Sequence, residues 1–242
     1  MNNDLPSGIK KIALELSYLS NIDNDIVTEI VSDAKLSERD LRQYISFEHP
    51  NNESYGRKLI LDNGNFKILL MSWRAGDFTA IHNHGYSAWG CVYFFGEAKH
   101  RLYEIEDDEL KVIQKDNFHA DQIAAVCDDL THMMGNASSK DFITLHIYGS
   151  NTRKNNVSED AKVYLPEFQK VVTTMGSAYL NMDKSLVLSE EPLLNIHHDV
   201  LVDYFTLVKP FYERNKRFDI IRDLENATNA RIKDEYLLLH SY

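Results

Sequence analysis

Residues 73–96 read WRAGDFTAIHNHGYSAWGCVYFFG, and this stretch decides the fold. It contains two histidines, His82 and His84, that are two positions apart. On a β-strand, residues two positions apart project from the same face, so both imidazoles could chelate one metal ion while Asn83 faces away. A lone His-x-His is more often structural than functional. The surrounding sequence therefore has to supply a β-sheet and a third ligand.

Short strands are predicted on both sides of this stretch. Runs rich in β-forming residues occur at 58–61, 66–73, 80–84, 89–95, 100–105, 111–114, 123–126, 132–134, 142–148, 163–164 and 170–174. Residues 62–65, Asp-Asn-Gly-Asn, have the composition of a hairpin turn between the first two runs. Many short strands, with turns roughly every 8–12 residues, indicate a β-sandwich or a barrel rather than a parallel α/β sheet.

Helices are predicted before the strands. Apolar residues recur at helical spacing over residues 9–19 and 26–34. Ser37, followed three positions later by Asp40, resembles an N-terminal capping box for a further helix. We therefore expect N-terminal helices within residues 1–50 and a barrel over residues 51–180.

Helical periodicity returns after about Asn181. An apolar face from Ile196 to Val208 predicts one helix, which Pro210 should kink or end, and residues 220–227 and 236–239 predict two further segments. A tail of about sixty residues with one apolar face is too small to be stable alone. We expect residues 181–242 to form a helical extension that packs on the barrel or on another subunit, which would make a homo-oligomer.

The composition excludes several classes of protein. The chain has 242 residues, 43% of them hydrophobic, and a net charge of −11 without a basic run, which argues against binding to nucleic acid or anionic lipid. Two cysteines cannot form a disulfide framework, which points to a reducing compartment. The sequence has neither a signal-peptide pattern nor an apolar run long enough to span a membrane. We expect a cytoplasmic globular protein without a membrane partner.

The spacing of histidines and glycines resembles the cupin barrel. Gly76-x5-His82-x-His84, with Gly96 twelve residues later, resembles the first cupin motif. His132-x3-Asn136 resembles the second motif, which supplies the last metal ligand from a neighbouring strand. Many cupins carry a glutamate shortly after the second histidine, but residues 86–89 contain no carboxylate. Three neutral imidazoles leave a divalent ion its full charge and open positions, which favour an anionic ligand such as a thiolate.

A second group of polar residues follows on one predicted strand. Thr144, His146 and Tyr148 share a strand face because they alternate with apolar residues. Thr144 can orient the His146 ring, and His146 can hydrogen-bond the phenol of Tyr148. Near a metal, Tyr148 could then donate to a bound substrate or an oxygen intermediate. The alternative is a buried polar ladder whose members only satisfy one another.

Together these motifs resemble the cysteine dioxygenase (thiol dioxygenase) family in order and spacing. The motifs are Tyr55-x-Arg57, Trp73-x8-His82-x-His84, His132-x3-Asn136 and Thr144-x-His146-x-Tyr148. The resemblance covers about residues 40–150 and continues more weakly to about residue 180. Members of that family use Fe(II) held by three histidines to convert a thiol and O2 to a sulfinate.

The resemblance implies a role for each motif. It implies His82, His84 and His132 as iron ligands, and Arg57 as the clamp for the substrate carboxylate with Tyr55 beside it. It implies Thr144, His146 and Tyr148 as an outer-sphere relay. The fold it implies is a cupin barrel, a double-stranded β-helix or jelly roll. We therefore expect Fe(II)- and O2-dependent oxidation of L-cysteine to cysteine sulfinate.

Departures from the family pattern leave alternatives open. Animal members carry a cysteine near the second ligand that crosslinks to the relay tyrosine, whereas ungapped alignment puts Trp89 there and makes Cys91 a core residue. Gly149 follows Tyr148, as in bacterial members that include 3-mercaptopropionate enzymes, although those usually lack an arginine at the position of Arg57. Oxidation of 3-mercaptopropionate therefore remains an alternative. A non-catalytic cupin that senses a small acid and a cupin isomerase with another metal are further alternatives.

The remaining candidate residues receive structural interpretations. Arg153 is a spare cation that could help to bind a carboxylate, although a loop residue facing solvent fits its context better. The adjacent pair His197 and His198 should point in different directions on a helix and chelate poorly. The other histidines have no partner at a useful spacing; they are His49, His100, His119 and His240.

Overall fold

A computed structural model describes residues 4–126, 130–152 and 156–239, including side chains except at residue 231 and residues 234–239. Its α-helices are α1 (Ser7–Tyr18), α2 (Asn24–Asp33), α3 (Glu38–Leu41), α4 (His198–Arg214) and α5 (Phe218–Leu239). Its strands are β1 (Gly56–Asp62), β2 (Phe66–Trp73), β3 (Ile81–His82), β4 (Trp89–Phe94), β5 (Ala98–Glu106), β6 (Glu109–Phe118), β7 (Ile123–Val126), β8 (Thr131–Gly135), β9 (Phe142–Gly149), β10 (Ala161–Leu165), β11 (Lys170–Thr174), β12 (Val187–Pro192) and β13 (Asn195–Ile196).

The strands form two sheets. The first has five strands in the order β1-β2-β9-β4-β7, and the second has eight in the order β12-β11-β10-β3-β8-β5-β6-β13. Pairing is antiparallel except between β13 and β6. In the centre of each sheet, strands distant in sequence are neighbours, such as β2 with β9 and β3 with β8, as in a double-stranded β-helix. The predicted cupin barrel is confirmed.

Alternation along the strands produces three apolar layers. On β2, Ile68 and Leu70 face outward to α1 and α2, whereas Leu69 and Met71 face the space between the sheets. On the other side of the molecule, α4 packs against the outer face of the eight-stranded sheet, with Tyr204 fully buried. Helices therefore cover both outer faces, and the interior layer is where a site can form.

The N-terminal helices follow the sequence pattern. The helices α1 and α2 lie where apolar periodicity predicts them, and Ser37 and Asp40 form the predicted capping box of α3. The hydroxyl of Ser37 lies 2.6 Å from the Asp40 carboxylate, which also accepts from the Ser37 backbone N–H at 2.9 Å. This bond holds the pKa of Asp40 below its ordinary value. The entry into the barrel is thus fixed by local chemistry.

The C-terminal region differs from the prediction in two ways, and Pro210 does not end its helix. It is not helical throughout, because β12 and β13 extend the eight-stranded sheet before α4 begins. The helix α4 continues through Pro210 to Arg214, since a proline so near the end of a helix removes only one late backbone hydrogen bond. The two predicted final segments are one helix, α5.

Hydrogen bonds connect α4 of the C-terminal extension to the barrel of the same chain. Glu167 accepts hydrogen bonds from the phenols of Tyr204 and Tyr212, both on α4. Arg101 on β5 donates to Asp203 at 2.6 Å. The apolar face that suggested a subunit contact is thus buried within the chain, and a homo-oligomer built through the extension stays a prediction. In the described part of the chain, no helix combines the length and apolar character needed to cross a bilayer.

Candidate functional site

Three histidines meet in the interior layer, on neighbouring strands of the eight-stranded sheet. His82 on β3 is the direct cross-strand partner of His132 on β8, and His84 follows β3 immediately. All three side chains are buried, with ring centroids 4.6–5.2 Å apart. The predicted His-x-His strand and the predicted third histidine are therefore brought together.

The ring orientations leave the Nε2 atoms facing a common point. Nδ1 of His82 lies 3.0 Å from the carbonyl oxygen of Ala80, so its proton is used there and Nε2 is free. Nε2 of His84 lies 3.2 Å from Nε2 of His132. Two imidazole nitrogens bound to one ion at about 2.1 Å and at a near-right angle would be about 3.0–3.2 Å apart. The observed separation fits a shared metal ion.

The chemistry of the donors also fits a metal. Burial is the largest cause that lowers the pKa of each ring, to about 4 for His82 and well below the ordinary value for His84 and His132. The rings are therefore neutral near pH 7 and have lone pairs available. Within the described residues, no Asp, Glu or Cys side chain joins this group within 4.8 Å. A bound divalent ion would keep its full charge.

A second cluster of potential ligands lies on the surface. His197, His198 and Asp199 bring their ligand atoms within 4.8 Å at the start of α4, and the two imidazole rings are 4.4 Å apart. The prediction that the two histidines point in different directions is wrong, because His197 is the N-cap and lies outside the helical repeat. The positive end of the helix dipole disfavours a cation there.

The polar ladder on β9 begins at Trp73 on β2. The indole Nε1–H donates to Oγ1 of Thr144 at 2.8 Å, and Oγ1 lies 2.7 Å from Nε2 of His146. Indole nitrogen only donates, so the buried Thr144 hydroxyl satisfies its own hydrogen by donating to Nε2. The proton of His146 is then on Nδ1, which donates to the Tyr148 oxygen at 2.5 Å. The Tyr148 O–H remains free to point into the cavity.

Electrostatics keep this ladder in one protonation state. Burial lowers the pKa of His146 to about 3, so the ring is neutral. Burial raises the pKa of Tyr148 above its ordinary value, so the phenol stays protonated. Its ring lies 5.0 Å from that of His84. The candidate relay therefore ends in a hydrogen-bond donor beside the histidine cluster.

Arg57 lies on β1 of the five-stranded sheet, and Tyr55 directly precedes that strand. Tyr55 is buried, stacks on Trp73 at 4.8 Å, and accepts a hydrogen bond from the Ala178 backbone N–H. Arg57 is half-buried and is the cross-strand partner of Met71. Its Nε is buried and has no hydrogen-bond partner among the described residues. An unpaired guanidinium N–H in this position is a donor available to an anion.

A cavity of about 430 Å³, including its mouth, contains the site. Its lining includes Tyr55, His82, His84, His132, His146 and Tyr148, but not Arg57 or Thr144. Thr144 lies behind His146 in the ladder. Arg57 lies beside Met71, which does line the cavity, and its positive charge acts on the pKa of Tyr148. Arg153, the spare cation, lies outside the described residues.

The neighbour of the relay tyrosine differs from the sequence alignment. Gly90, rather than Trp89, is the cross-strand partner of Tyr148, and Trp89 faces the opposite side of the sheet with Cys91. A Cβ atom on Gly90 would lie 3.0 Å from Cδ1 of Tyr148. The prediction that Trp89 lies beside Tyr148 was therefore wrong by one residue. Cys91 is a core residue, as predicted, and burial raises its pKa to about 12.

Other residues of the predicted motifs have structural contacts. Asn136 is fully buried and its Nδ2 donates to the Trp73 carbonyl at 3.1 Å, so it holds the turn after β8. His49, predicted to lack a partner, lies 2.9 Å from the buried Asp77 carboxylate. His100 also has a partner, because its Nε2 lies 2.8 Å from Nδ1 of His132. The sequence signal for this pair is only that both residues lie on predicted strands.

The chain is similar to known proteins both in sequence and in fold. A family described as cysteine dioxygenase type I matches residues 5–156, which is more than half of the chain and includes the histidine cluster, the ladder on β9 and the pair Tyr55 and Arg57. A solved protein from Klebsiella pneumoniae subsp. pneumoniae MGH 78578, an uncharacterized conserved protein with a double-stranded β-helix domain, is 16% identical with a TM-score of 0.38; the match covers 49% of this chain and 91% of that chain.

Two further solved structures have similar scores. The protein TT1209 from Thermus thermophilus is 16% identical with a TM-score of 0.38, and the match covers 47% of this chain and 97% of that chain. An RmlC-like cupin protein from Desulfovibrio desulfuricans is 18% identical with a TM-score of 0.31, and the match covers 39% of this chain and 81% of that chain. The strand order described above, not these similarities, carries the fold assignment.

Proposed function

The chain belongs to the cysteine dioxygenase type I family, and from that premise we propose that it is an Fe(II)-dependent dioxygenase of a small thiol acid. The single observation that supports this most is the cluster of three neutral, buried histidines beside a protonated tyrosine. In the proposed reaction both atoms of O2 are transferred to the thiol sulfur, which gives a sulfinate. The sulfur loses four electrons and O2 gains four, so no further reductant is needed.

The proposed metal ligands are His82, His84 and His132. A bound Fe(II) ion would bind the thiolate and O2 and supply the redox chemistry. The chain's part is to hold three imidazoles with their Nε2 lone pairs directed inward and to keep competing carboxylates away. Burial that keeps these rings neutral supports this role, because a protonated imidazole cannot bind a metal.

Arg57 is the proposed anchor for the substrate carboxylate, with Tyr55 beside it. Its buried Nε without a partner among the described residues supports this proposal, since a planar guanidinium can pair with a carboxylate through two hydrogen bonds. Lys67, another inward-facing cation, is already 3.6 Å from Asp62 and bonded to Asn156. Tyr55 keeps its own O–H available because its oxygen accepts from the Ala178 N–H.

Tyr148 is the proposed donor to the reacting centre. The ladder that starts at Trp73 directs the proton of His146 toward the phenol oxygen, so the Tyr148 O–H is left for the substrate or for bound oxygen. Thr144 and His146 act through Tyr148 and are positioning residues. The raised pKa of Tyr148 supports a hydrogen-bond donor rather than a base.

L-Cysteine is the proposed substrate, because the family is described by it. The alternative is 3-mercaptopropionate, which lacks the amino group. One observation favours this alternative: the described lining of the cavity contains no carboxylate to pair with an ammonium group. We assign the reaction to residues 1–180 and a cytoplasmic setting, where a thiol substrate stays reduced.

Oxygen uptake with a panel of thiols tests the proposal. Anaerobically purified apoprotein is loaded with Fe(II), and O2 consumption and sulfinate are measured with L-cysteine, 3-mercaptopropionate and cysteamine. We expect one O2 consumed per sulfinate formed from a thiol acid, and loss of both iron and activity in His84→Ala. The exposed His119 gives a matched control, and His119→Ala should behave as the wild type.

The outcomes separate the proposal from its alternatives. A non-catalytic cupin sensor would bind a thiol acid without consuming O2. A cupin isomerase would retain another metal through purification and show no sulfinate with Fe(II). Iron that stays bound in His84→Ala would refute the proposed ligand set.

A further inference from the structure

We propose that His100 is a positioning residue for the metal centre, which it serves by accepting a hydrogen bond from the third ligand, His132. This inference rests on the metal site proposed above. It assigns a function to a histidine that has no motif and no partner in the sequence. The bond would fix the tautomer and the ring plane of His132 before a metal arrives.

The contact is direct and buried. Nε2 of His100 lies 2.8 Å from Nδ1 of His132, a full hydrogen bond. The residues lie on neighbouring strands: Leu102 of β5 is the cross-strand partner of His132, and His100 is that of Met134. His100 and His132 are therefore diagonal neighbours on the inward face, close enough for long side chains to meet. Their ring centroids are 5.0 Å apart.

The position of the proton on each ring determines which of the two histidines donates the hydrogen bond. Nε2 of His132 faces Nε2 of His84 at the proposed metal position, so it must keep a lone pair there. A neutral imidazole has one proton, which His132 must then carry on Nδ1. That N–H donates to Nε2 of His100. If His100 were the donor instead, His132 would carry its proton on Nε2 and could not bind a metal.

The backbone at His100 is held by the barrel and by the C-terminal extension, and its ring has one aromatic neighbour. Phe118 of β6 meets its ring edge-on at 5.2 Å. Arg101 donates to the His100 carbonyl at 2.9 Å and is itself held by Asp203 of α4. The acceptor is thus fixed by the barrel and, through Arg101, by the C-terminal extension. A rigid acceptor is what a ligand needs if its orientation is to be set in advance.

The other nitrogen of His100 must carry the proton of that ring. This atom, Nδ1, is buried and has no hydrogen-bond partner among the described residues. His100 lines a second cavity, of about 720 Å³ including its mouth, together with His132 and with Asp116, the cross-strand partner of His100 on β6.

Metal affinity tests the proposal without relying on turnover. Anaerobic apoprotein is titrated with Co(II) in competition with a chelating dye. His100→Leu removes the acceptor, whereas His100→Gln keeps an oxygen that can accept from Nδ1–H of His132. Phe118→Leu is the matched control, because it disturbs packing against the same ring and leaves the hydrogen bond.

The expected pattern distinguishes positioning from simple packing. We expect His100→Leu to weaken Co(II) binding by roughly 10- to 100-fold, the range seen for partners of metal-ligating histidines. His100→Gln should recover most of that loss, and Phe118→Leu should bind as the wild type does. Equal affinities for His100→Leu and Phe118→Leu would overturn the proposal, as would a His100→Gln variant as weak as His100→Leu.

A second measurement needs no variant and so does not depend on folding. Long-range ¹H–¹⁵N correlation spectra of the Zn(II)-loaded wild type report the tautomer of each imidazole. We expect His132 and His100 both to carry the proton on Nδ1, and a proton on Nε2 of His100 would overturn the proposal. If the wild type bound no metal, or bound it independently of His84, both proposals would fall. If metal binding needs His84 but not His100, only this inference fails.

Discussion

The hydroxyl oxygen of Tyr148 lies 2.5 Å from Nδ1 of His146, while its ring lies 5.0 Å from that of His84. One residue thus belongs both to the ladder that begins at Trp73 and to the surroundings of the histidine cluster. The ladder reaches the cavity from a rigid core, since Trp73 and Thr144 are fully buried. Variants of Tyr148 can therefore test its effect on the reaction separately from metal binding by the histidines.

The first prediction concerns Tyr148→Phe. Removal of the hydroxyl should leave iron binding intact, because the three proposed ligands are unchanged. Loss of one buried donor costs about 1–3 kcal/mol, so kcat/KM should fall roughly 10- to 100-fold. Iron content and sulfinate formation measure the two effects. Tyr103→Phe, in the separate core under α4, is the control, and a turnover equal to wild type in Tyr148→Phe would make the ladder structural only.

The second prediction concerns Arg57 and substrate choice. Arg57→Lys keeps the charge but loses the planar fork, so kcat/KM for L-cysteine should fall about 10-fold. Arg57→Ala leaves the substrate carboxylate without a cation and should cost about 100-fold or more. Cysteamine has no carboxylate and should be a poor substrate that is indifferent to both changes.

A matched control makes this result specific. Arg39 is exposed on α3, and Arg39→Ala should not change either substrate. Unchanged kcat/KM for the best thiol acid in Arg57→Ala would move the anchor elsewhere, with Arg153 as the next residue to test. The preference for cysteine over 3-mercaptopropionate would then lose its support.

The third prediction is that no thioether forms. Gly90 faces Tyr148, and Cys91 lies on the opposite side of the same strand, so no sulfur can reach the phenol from β4. Mass spectrometry of tryptic peptides after many turnovers should give the Tyr148 peptide unlinked. Gly90→Ala should slow turnover and lower stability, because its Cβ would lie 2.5 Å from the Ile147 carbonyl oxygen. A crosslinked Tyr148 peptide would contradict this orientation of β4.

The fourth prediction is a dependence of stability on pH through Glu167. Burial between two phenols of α4 raises the pKa of this carboxyl to about 7, above the unfolded value near 4.5. At pH values between these two, the Glu167 carboxyl loses its proton in the unfolded chain and keeps it in the folded chain. The contribution of Glu167 to the free energy of unfolding is therefore full below about pH 4.5. It is lost as the pH rises through 7, and the loss is up to about 3 kcal/mol.

Denaturant unfolding at pH 5 and pH 8 measures this effect. Glu167→Gln cannot ionise, so its free energy of unfolding should fall less than that of the wild type between the two values. Glu29→Gln, an exposed site on α2, is the control and should follow the wild type. Equal changes in Glu167→Gln and wild type would mean that Glu167 is already ionised in the folded protein.

The sequence predicts what depends on local alternation. His82 with His84, and Thr144 with His146 and Tyr148, share strand faces because side chains alternate along a strand, and the structure has both sets facing inward. Strand β2 has the predicted bounds, and the turn before it follows from its Asn and Gly residues.

The sequence does not predict what depends on register between distant strands. His100 meets His132 only because β5 pairs with β8 in one alignment, which a single sequence does not specify. The sequence also did not predict that Gly90, rather than Trp89, lies opposite Tyr148. A shift of one residue in the register between two strands reverses which side chains face inward. The strands β12 and β13 were missed because neither has a clear alternating apolar face, and most of their residues are exposed.

The pairing of β3 with β8 has a consequence for the lifetime of the protein. Strand β3 contributes only two residues to the eight-stranded sheet. His84, which follows it, is 48 positions from His132 along the chain. An ion shared by both histidines would close that long loop, much as a disulfide does, and would stabilise the folded chain. Without that ion the long loop would be open, and the folded chain would be less stable. Cellular abundance of the protein would then follow the supply of the metal that the site binds.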